Sequence, residues 1–116
     1  MARILIVDDN PDLCFVMNKL IERMGHEAIT ACNGLEALHS LEQNDFDIVI
    51  TDIIMPNMDG IGLITQICSK YHQMKVIATS GEDRAFTREL KVDCTLLKPF
   101  PPAELFAAIN RLMGQK

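Results

Sequence analysis

The stretch "RILIVDDNPDL", from Arg3 to Leu13, decides the fold of this chain. It opens with a run of consecutive apolar residues, which is typical of a central parallel strand that helices cover on both faces. Asn10 and Pro11 suit the N-cap and the first position of the helix that follows. Asp8 and Asp9 therefore stand where a buried strand ends, at the carboxyl edge of the predicted sheet.

Short apolar runs alternate with helical stretches along the rest of the chain. Further strands are predicted in "EAITA", "FDIVITD", "MKVIATSG" and "CTLLKPF". Apolar residues at the i, i+3, i+4 spacing of amphipathic helices follow the strands, and Asn33 and Asp59 are the predicted N-caps of the second and third helices. The residues predicted to face the core are Leu13, Val16, Met17, Leu20, Ile21 and Met24 in the first helix, Leu35, Leu38 and Leu41 in the second, Ile61, Leu63, Ile64 and Ile67 in the third, and Leu105, Ala108, Ile109 and Leu112 in the last. The alternation predicts an α/β fold whose parallel sheet carries helices on both sides.

The composition is that of a soluble globular protein with one core. The chain has 116 residues, of which 48% are hydrophobic and 23% are charged, and both fractions are ordinary for one domain. The formal charge of −5 argues against direct nucleic acid binding, and no apolar run suits a membrane span or a signal peptide. The cysteines are far apart and predict reduced core thiols. We expect one cytoplasmic domain over residues 1–116, with no output domain in this chain.

Polar residues recur where the predicted strands end. They are Asp8 and Asp9 after the first strand, Asp52 after the third, Thr79 and Ser80 at the fourth, and Lys98 after the fifth. Each alone suits an exposed loop, but the carboxyl ends of parallel strands meet at one edge, where such sheets bind their ligands. Carboxylates brought together repel unless protons or a cation neutralise them, and a cluster with oxygen ligands alone favours Mg²⁺. With a lysine and a hydroxyl beside it, the site suits a phosphoryl group, and an aspartate there can be the nucleophile.

Four motifs together resemble one known family. "ILIVDDN", "DIVITDIIMPNMDG", "VIATSG" and "LLKPF" occur in this order over nearly the whole chain, which resembles a response-regulator receiver domain of the chemotaxis-regulator type. The resemblance implies a doubly wound, flavodoxin-like (βα)5 fold, with a five-stranded parallel sheet in the order 2-1-3-4-5. It also implies a phosphoacceptor of two-component signal transduction, and not an enzyme that acts on a separate substrate.

The resemblance implies roles for the acidic residues of the site. Asp52 would take a phosphoryl group from a histidine kinase, a phosphotransfer protein or a small phosphodonor. Asp9 would bind Mg²⁺ directly, and Asp8 would assist largely through water. Asp52 and the backbone carbonyl of Ile54 would be further ligands of the metal.

The resemblance also implies roles for the lysine and one hydroxyl. Lys98 would contact the acceptor carboxylate and later the phosphoryl group, and its bond to Pro99 would be cis. Thr79 and Ser80 compete for the hydroxyl that binds a phosphoryl oxygen, and Ser80 is preferred because Gly81 follows it. The turn after the acceptor matches the family at Met55, Pro56, Asp59 and Gly60.

The chain departs from the family pattern before the fifth strand. Thr95 stands where the family usually has an aromatic residue, and Lys98 follows Ser80 by only eighteen positions, which shortens the fourth helix by roughly one turn of about 3.6 residues. We expect either a short, mobile fourth helix between Asp83 and Leu90 or one that packs rigidly and presents a different surface. The face made by the fourth helix, the fifth strand and the last helix, which phosphorylation would switch, is expected to be reshaped.

Two other functions compete with this interpretation. One is a small Mg²⁺-dependent phosphohydrolase with an aspartyl nucleophile, but "TDIIMP" lacks the D-x-D pattern such an enzyme would have. The other is a degenerate receiver that acts only as an interaction domain, and the presence of Asp9, Asp52 and Lys98 argues against it. We expect a monomer or weak dimer that acts on a downstream target which the sequence does not identify.

Overall fold

Five strands and four helices occur among the residues that the computed structural model describes, which are 1–54, 60–82 and 91–114. In chain order the elements are β1 Arg3–Val7, α1 Pro11–Arg23, β2 Glu27–Ala31, α2 Gly34–Gln43, β3 Ile48–Asp52, α3 Gly60–Lys70, β4 Lys75–Ser80, β5 Cys94–Leu97 and α4 Pro102–Leu112. The strands form one parallel sheet in the order β2-β1-β3-β4-β5. The predicted α/β class and strand order are confirmed. None of the described helices is long and apolar enough to cross a membrane.

Two predictions fall outside the described residues. One concerns the turn from Met55 to Asp59, which includes the predicted N-cap of the third helix. The other concerns the short fourth helix between Asp83 and Leu90. Both stay predictions, and α4 in this description corresponds to the last helix predicted from the sequence.

Asparagine side chains begin the first two helices, as predicted. Asn10 Oδ1 accepts hydrogen bonds from the N–H groups of Asp12 and Leu13, at 3.0 and 3.3 Å. Asn33 Oδ1 accepts one from the N–H of Glu36 at 2.8 Å. These bonds satisfy N–H groups that have no partner within the helix. The first cap fixes the chain directly after Asp8 and Asp9, so it also shapes the edge of the sheet.

The sheet separates two apolar layers, because alternate strand residues point to opposite faces. One layer contains Ile4, Ile6, Ile48, Ile50 and Ile77 from the strands with Met17, Ile21, Leu105 and Ile109 from α1 and α4. The other contains Leu5, Val7, Val49, Val76 and Ala78 with Ala37, Leu41, Leu63, Ile64 and Ile67 from α2 and α3. Packing on both faces holds the strand ends in fixed positions at one edge.

Three residues that were predicted to face the core are exposed instead. Val16 in α1, Leu35 in α2 and Ile61 in α3 have exposed fractions of 51%, 58% and 50%. Only a narrow stripe of each helix touches the sheet, and an apolar residue beside that stripe meets solvent. In α2 the buried stripe contains Gly34, Ala37 and Leu41.

The structure confirms the predicted free thiols and the predicted cis bond, but it does not place every cysteine in the core. All four cysteines are free thiols, as predicted, but only Cys14 is buried and Cys32 is exposed. The prediction that they are core residues is therefore wrong for Cys32, which lies just past the end of β2. The Lys98–Pro99 peptide bond is cis, as predicted.

Candidate functional site

The register of the sheet places the predicted site residues along its carboxyl edge. Asp52 is the last residue of β3 and pairs with Thr79 of β4, while Ser80 pairs with Leu97 of β5. Asp8 directly follows β1, which is the other neighbour of β3. Asp52 therefore stands between the aspartates on one side and the hydroxyl residues on the other.

Three carboxylates meet at this edge. Asp8, Asp9 and Asp52 each offer an oxygen, and these oxygens lie within 4.8 Å of one another. Asp8 and Asp52 are buried, whereas Asp9 is exposed. The donor set is oxygen alone, with no thiolate or imidazole, and it fits Mg²⁺, a hard cation that accepts a few carboxylates and keeps several waters.

Lys98 connects two of the three carboxylates. Its Nζ donates to Asp8 Oδ2 at 2.7 Å and to Asp52 Oδ2 at 3.1 Å. The other oxygen of each carboxylate accepts from the main chain: Asp8 Oδ1 from the N–H of Asn10 at 2.9 Å, and Asp52 Oδ1 from the N–H of Ile54 at 3.2 Å. Both buried aspartates are thus held in fixed orientations with a cation between them.

The site shifts the pKa of two of its groups. Burial raises the pKa of Asp52, and the charge and hydrogen bond of Lys98 oppose this shift without cancelling it. Burial also lowers the pKa of Lys98, but the hydrogen bond and charge of Asp8, followed by those of Asp52, outweigh it and raise that pKa above its ordinary value. At neutral pH the site therefore contains a charged ammonium beside a carboxylate whose ionisation is disfavoured by burial.

Ser80 is buried beside this cluster and is coupled to β5. Its Oγ accepts a hydrogen bond from the N–H of Glu82 at 3.0 Å, which leaves the hydroxyl proton free to be donated. Its backbone carbonyl accepts from the N–H of Lys98 at 2.7 Å. Thr79, the competing hydroxyl residue, is also buried, and its carbonyl accepts from the N–H of Ile53 at 3.0 Å. The backbone of Ser80 thus connects the end of β4 to the lysine of the site.

Sequence reasoning did not identify the main-chain donors of the site. Asn10 was recognised only as a helix cap, yet its N–H holds the carboxylate of Asp8. Ile54 was assigned a metal-binding carbonyl, whereas the described contact is made by its N–H and its side chain is 57% exposed. Cys14 also donates from Sγ to the backbone carbonyl of Asp8 at 3.4 Å. The sequence indicates these contacts only through position: Asn10 and Ile54 each lie two residues after an aspartate, and Cys14 lies in the first turn of α1.

Comparison with known proteins identifies a family over most of the chain. The family model described as "Response regulator receiver domain" matches residues 4–110. Among curated proteins, the transcriptional regulatory protein PrrA of Mycobacterium tuberculosis is 33% identical over 118 residues, which cover 98% of this chain and 51% of PrrA. The alkaline phosphatase synthesis transcriptional regulatory protein PhoP of Bacillus subtilis is 30% identical and is matched over 48% of its length. The chain spans about half the length of the curated relatives it matches.

Solved structures share the fold over almost their whole length. The response regulator TrrA of Thermotoga maritima, in complex with Mg²⁺-BeF, has a TM-score of 0.91 at 31% identity and covers 97% of this chain and 99% of its own. The chemotaxis protein CheY4 of Vibrio cholerae has a TM-score of 0.85 at 27% identity, with 97% and 98% covered. The receiver domain of the sensor histidine kinase PA1611 of Pseudomonas aeruginosa, with magnesium in its active site cleft, has a TM-score of 0.89 at 26% identity, with 98% covered in both.

Proposed function

We propose that Asp52 accepts a phosphoryl group in this chain, which belongs to the response regulator receiver domain family. The chain is a receiver domain of the two-component response regulator type, and a phosphoacceptor role fits that family. The phosphohydrolase interpretation is not favoured by these comparisons. The choice of Asp52, the metal ligands and the partners are proposals that rest on the geometry of the site.

The position of Asp52 on the central strand carries the assignment. Because β3 lies between β1 and β4, a group attached to Asp52 has carboxylates on one side and the hydroxyl of Ser80 on the other. Lys98 already contacts the Asp52 carboxylate at 3.1 Å. Asp8 and Asp9 follow β1, which is one strand further from Ser80. Asp52 is therefore the acidic residue that lies next to both the other carboxylates and the hydroxyl of Ser80.

Mg²⁺ would be held by the carboxylates of Asp8, Asp9 and Asp52 and by the backbone carbonyl of Ile54. When bound, it supplies positive charge next to the oxygens of the phosphoryl group. Exposed Asp9 is the carboxylate that a hydrated cation reaches first, and it makes the proposed direct contact. Buried Asp8, already held by Asn10 and Lys98, acts largely through water.

The proposed reaction is a nucleophilic displacement at phosphorus. A carboxylate oxygen of Asp52 forms a bond to phosphorus while the bond between phosphorus and the donor breaks. When the donor is a phosphohistidine, the leaving imidazole keeps the electron pair and takes up a proton from water. Lys98 then neutralises a phosphoryl oxygen, and Ser80 donates its free hydroxyl proton to another. Because the carbonyl of Ser80 accepts from Lys98, this contact moves the end of β4 and the start of the loop after β5 together.

The partners follow from this chemistry. The phosphoryl donor is proposed to be a histidine kinase or a phosphotransfer protein, and the switched face is the one that includes β5 and α4. Since the curated relatives are transcriptional regulators about twice as long, the target is proposed to be an output domain or a separate protein. The domain is proposed to act in the cytoplasm and to catalyse only its own phosphorylation and dephosphorylation.

Phosphorylation by a small donor tests the assignment directly. Wild type, Asp52→Asn and the control Asp12→Asn, which changes an exposed aspartate in the first turn of α1, are incubated with acetyl phosphate with and without Mg²⁺. Intact mass spectrometry is expected to show one added phosphoryl group on wild type and the control, only with Mg²⁺, and none on Asp52→Asn. Equal labelling of Asp52→Asn, or labelling that does not depend on metal, would contradict the proposal. Absence of labelling in wild type would favour the degenerate receiver.

A further inference from the structure

A buried hydroxyl group stands directly before the proposed acceptor on β3. Thr51 is fully buried and pairs with Val7 of β1 and with Ala78 of β4. Because alternate strand residues point to opposite faces, its side chain lies on the side of α2 and α3, opposite the carboxylate of Asp52. Its neighbours in the sheet are apolar, so burial of a hydroxyl there is unfavourable unless the group is hydrogen-bonded.

The hydroxyl of Thr51 is bonded to the main chain of the proposed acceptor. Its Oγ1 lies 2.9 Å from the backbone carbonyl oxygen of Asp52, and the hydroxyl is the donor because a carbonyl oxygen can only accept. The N–H of Ile53, which belongs to the same planar peptide unit, donates to the carbonyl of Thr79 at 3.0 Å. The peptide plane between Asp52 and Ile53 is therefore held at both of its polar groups.

The next peptide plane is also held at both of its polar groups. The carbonyl of Ile53 accepts from the N–H of Gly60 at 2.8 Å, and the N–H of Ile54 donates to Asp52 Oδ1 at 3.2 Å. Because this last bond orients the carboxylate, the direction of the nucleophilic oxygens depends on both planes. The bond from Thr51 is the one whose donor is a side chain, so a substitution can remove it without altering the main chain.

We propose that Thr51 is a positioning residue for phosphorylation, whose hydroxyl fixes the peptide plane after Asp52 and, through it, the orientation of the Asp52 carboxylate. This inference rests on the proposed function and adds a residue of the same site on the other face of the sheet. Without the hydroxyl, the carbonyl of Asp52 loses this bond, and the plane can tilt about the bond that its N–H makes to Thr79. The N–H of Ile54 then no longer holds Asp52 Oδ1 in one place. A nucleophile must be aligned with the bond that it attacks, so the reaction slows.

Substitutions that separate the hydroxyl from the rest of the side chain test the proposal. Thr51→Val keeps the shape and removes the hydroxyl, whereas Thr51→Ser keeps the hydroxyl and removes a buried methyl group. The matched control is Thr65→Val, because Thr65 Oγ1 also donates to a backbone carbonyl at 2.9 Å, that of Ile61, but is exposed on α3.

The first measurement is the rate of labelling by acetyl phosphate at saturating Mg²⁺, under conditions where urea denaturation shows every variant to be folded. Thr51→Val is expected to be labelled about fivefold more slowly than wild type, which is the effect of losing one hydrogen bond of ordinary strength. Thr51→Ser and Thr65→Val are expected to stay within about twofold of wild type, because neither loses the bond to Asp52. A merely structural role of Thr51 would slow Thr51→Ser as well, since it loses packing.

Hydrogen exchange of single amides gives a second readout that does not depend on phosphorylation. In Thr51→Val the amides of Ile53 and Ile54 are expected to exchange about fivefold faster than in wild type, because the planes that carry them are less firmly held. The amide of Ile50, within β3, is expected to change only as far as global stability does. Equal acceleration at all three amides would show a general loss of stability and would overturn the proposal.

The outcomes distinguish this inference from the proposed function. If wild type is labelled and Thr51→Val is labelled equally fast, or Thr51→Ser is as slow as Thr51→Val, the positioning role is wrong and the proposed function stands. If wild type is not labelled, the proposed function fails and the positioning role fails with it. If Thr51→Val does not fold, Thr51→Ala takes its place, because it fits the same space and differs from Thr51→Ser in the hydroxyl alone. It is expected to be labelled about fivefold more slowly than Thr51→Ser, and equal rates would overturn the proposal.

Discussion

Gly60 lies so close to the main chain of Asp52 that no side chain fits between them. A Cβ atom placed on Gly60 would overlap the carbonyl oxygen of Asp52 and would lie 2.5 Å from the Cα of Ile53. The N–H of Gly60 donates to the carbonyl of Ile53 at 2.8 Å. The first residue of α3 is therefore packed against the backbone that carries the proposed acceptor.

Gly60→Ala is expected to destabilise the protein by about 1–3 kcal/mol, because the obstructing atoms are backbone and cannot turn aside. The acceptor strand must shift, so the rate of phosphorylation by acetyl phosphate should also fall. Urea denaturation and intact mass spectrometry measure the two effects. Gly81→Ala is the control, since a Cβ there meets no atom of the described residues within 4 Å. An equal loss of stability in this control would show that close packing is not the cause.

Asp52→Asn is expected to stabilise the fold at neutral pH. Burial raises the pKa of Asp52 above its ordinary value of 3.8 even though Lys98 opposes the shift, so the folded chain binds this proton more tightly than the unfolded chain does. As the pH rises from the pKa of Asp52 in the unfolded chain through its pKa in the folded chain, ionisation of Asp52 therefore lowers the free energy of unfolding. The free energy of unfolding of Asp52→Asn should exceed that of wild type at pH 7, and the difference should shrink as the pH falls toward 3.8. A difference that grows on acidification would show that Lys98 outweighs burial.

The strand pattern predicted the fold because the central strands β1, β3 and β4 are almost entirely buried, and because helices capped by asparagine side chains follow β1 and β2. It did not predict which apolar helix residues meet the sheet. Leu35 is more apolar than Gly34, yet Gly34 is buried and Leu35 is exposed, because Gly34 lies on the face of α2 that is turned inward. Which face of a helix meets the sheet depends on how the two layers pack, and the hydrophobicity of single residues does not determine that packing.

The residues of the candidate site were also predictable, but their contacts were not. Strand ends of a parallel sheet share an edge, which is why Asp8, Asp52 and Lys98 could be grouped from their positions alone. The sequence suggested that Lys98 contacts Asp52, and the structure has this contact at 3.1 Å, but the sequence did not suggest the shorter contact with Asp8 at 2.7 Å. Such a difference of a few tenths of an ångström is set by the orientation of each carboxylate, and hence by the N–H groups of Asn10 and Ile54.

Asn10→Ala and Asn33→Ala form a matched pair of helix-cap substitutions. Each removes a side-chain acceptor from the first turn of a helix and is expected to cost about 1 kcal/mol of stability. Only the Asn10 cap adjoins the site, because the backbone N–H of residue 10 donates to the carboxylate of Asp8. Asn10→Ala keeps that N–H but loses the side-chain bonds that fix the turn carrying it, so only this variant should slow phosphorylation beyond what lost stability explains. Urea denaturation and the initial rate of labelling are measured for both. Equal rates in the two variants would mean that the first cap does not position the site.

The thiol of Cys32 is expected to react faster when Glu36 is neutral. Its Sγ donates to Glu36 Oε2 at 2.9 Å, and this hydrogen bond raises the pKa of the thiol. Glu36→Gln should therefore increase the thiolate fraction and speed alkylation by iodoacetamide at pH 8 several-fold, because the thiolate is the nucleophile. Peptide mass spectrometry measures the rate at each cysteine. Glu42→Gln, at the other end of α2, should leave the rate at Cys32 unchanged.

Cys14 provides the internal reference for that experiment. Burial raises its pKa to about 11, with a further contribution from Asp8, so it should stay unmodified while the fold is intact. Rapid alkylation of Cys14 would show that α1 opens under the conditions used. Cys32 rates measured under such conditions would then report unfolding instead of the contact with Glu36.

Ser80→Ala and Thr79→Ala are expected to separate phosphorylation from its structural consequence. Both hydroxyl residues are buried at the end of β4, but the Oγ of Ser80 accepts from the N–H of Glu82, and its carbonyl accepts from Lys98. If Ser80 donates to the phosphoryl group, Ser80→Ala should be labelled at Asp52 at a rate within a few-fold of wild type, since removing one hydrogen bond costs about 1 kcal/mol. Its amides at residues 80–82 should then fail to gain protection from hydrogen exchange on phosphorylation. Thr79→Ala should gain that protection as wild type does. The reverse result would assign the role to Thr79, because the residue whose hydroxyl binds the phosphoryl group is the one that phosphorylation pulls inward.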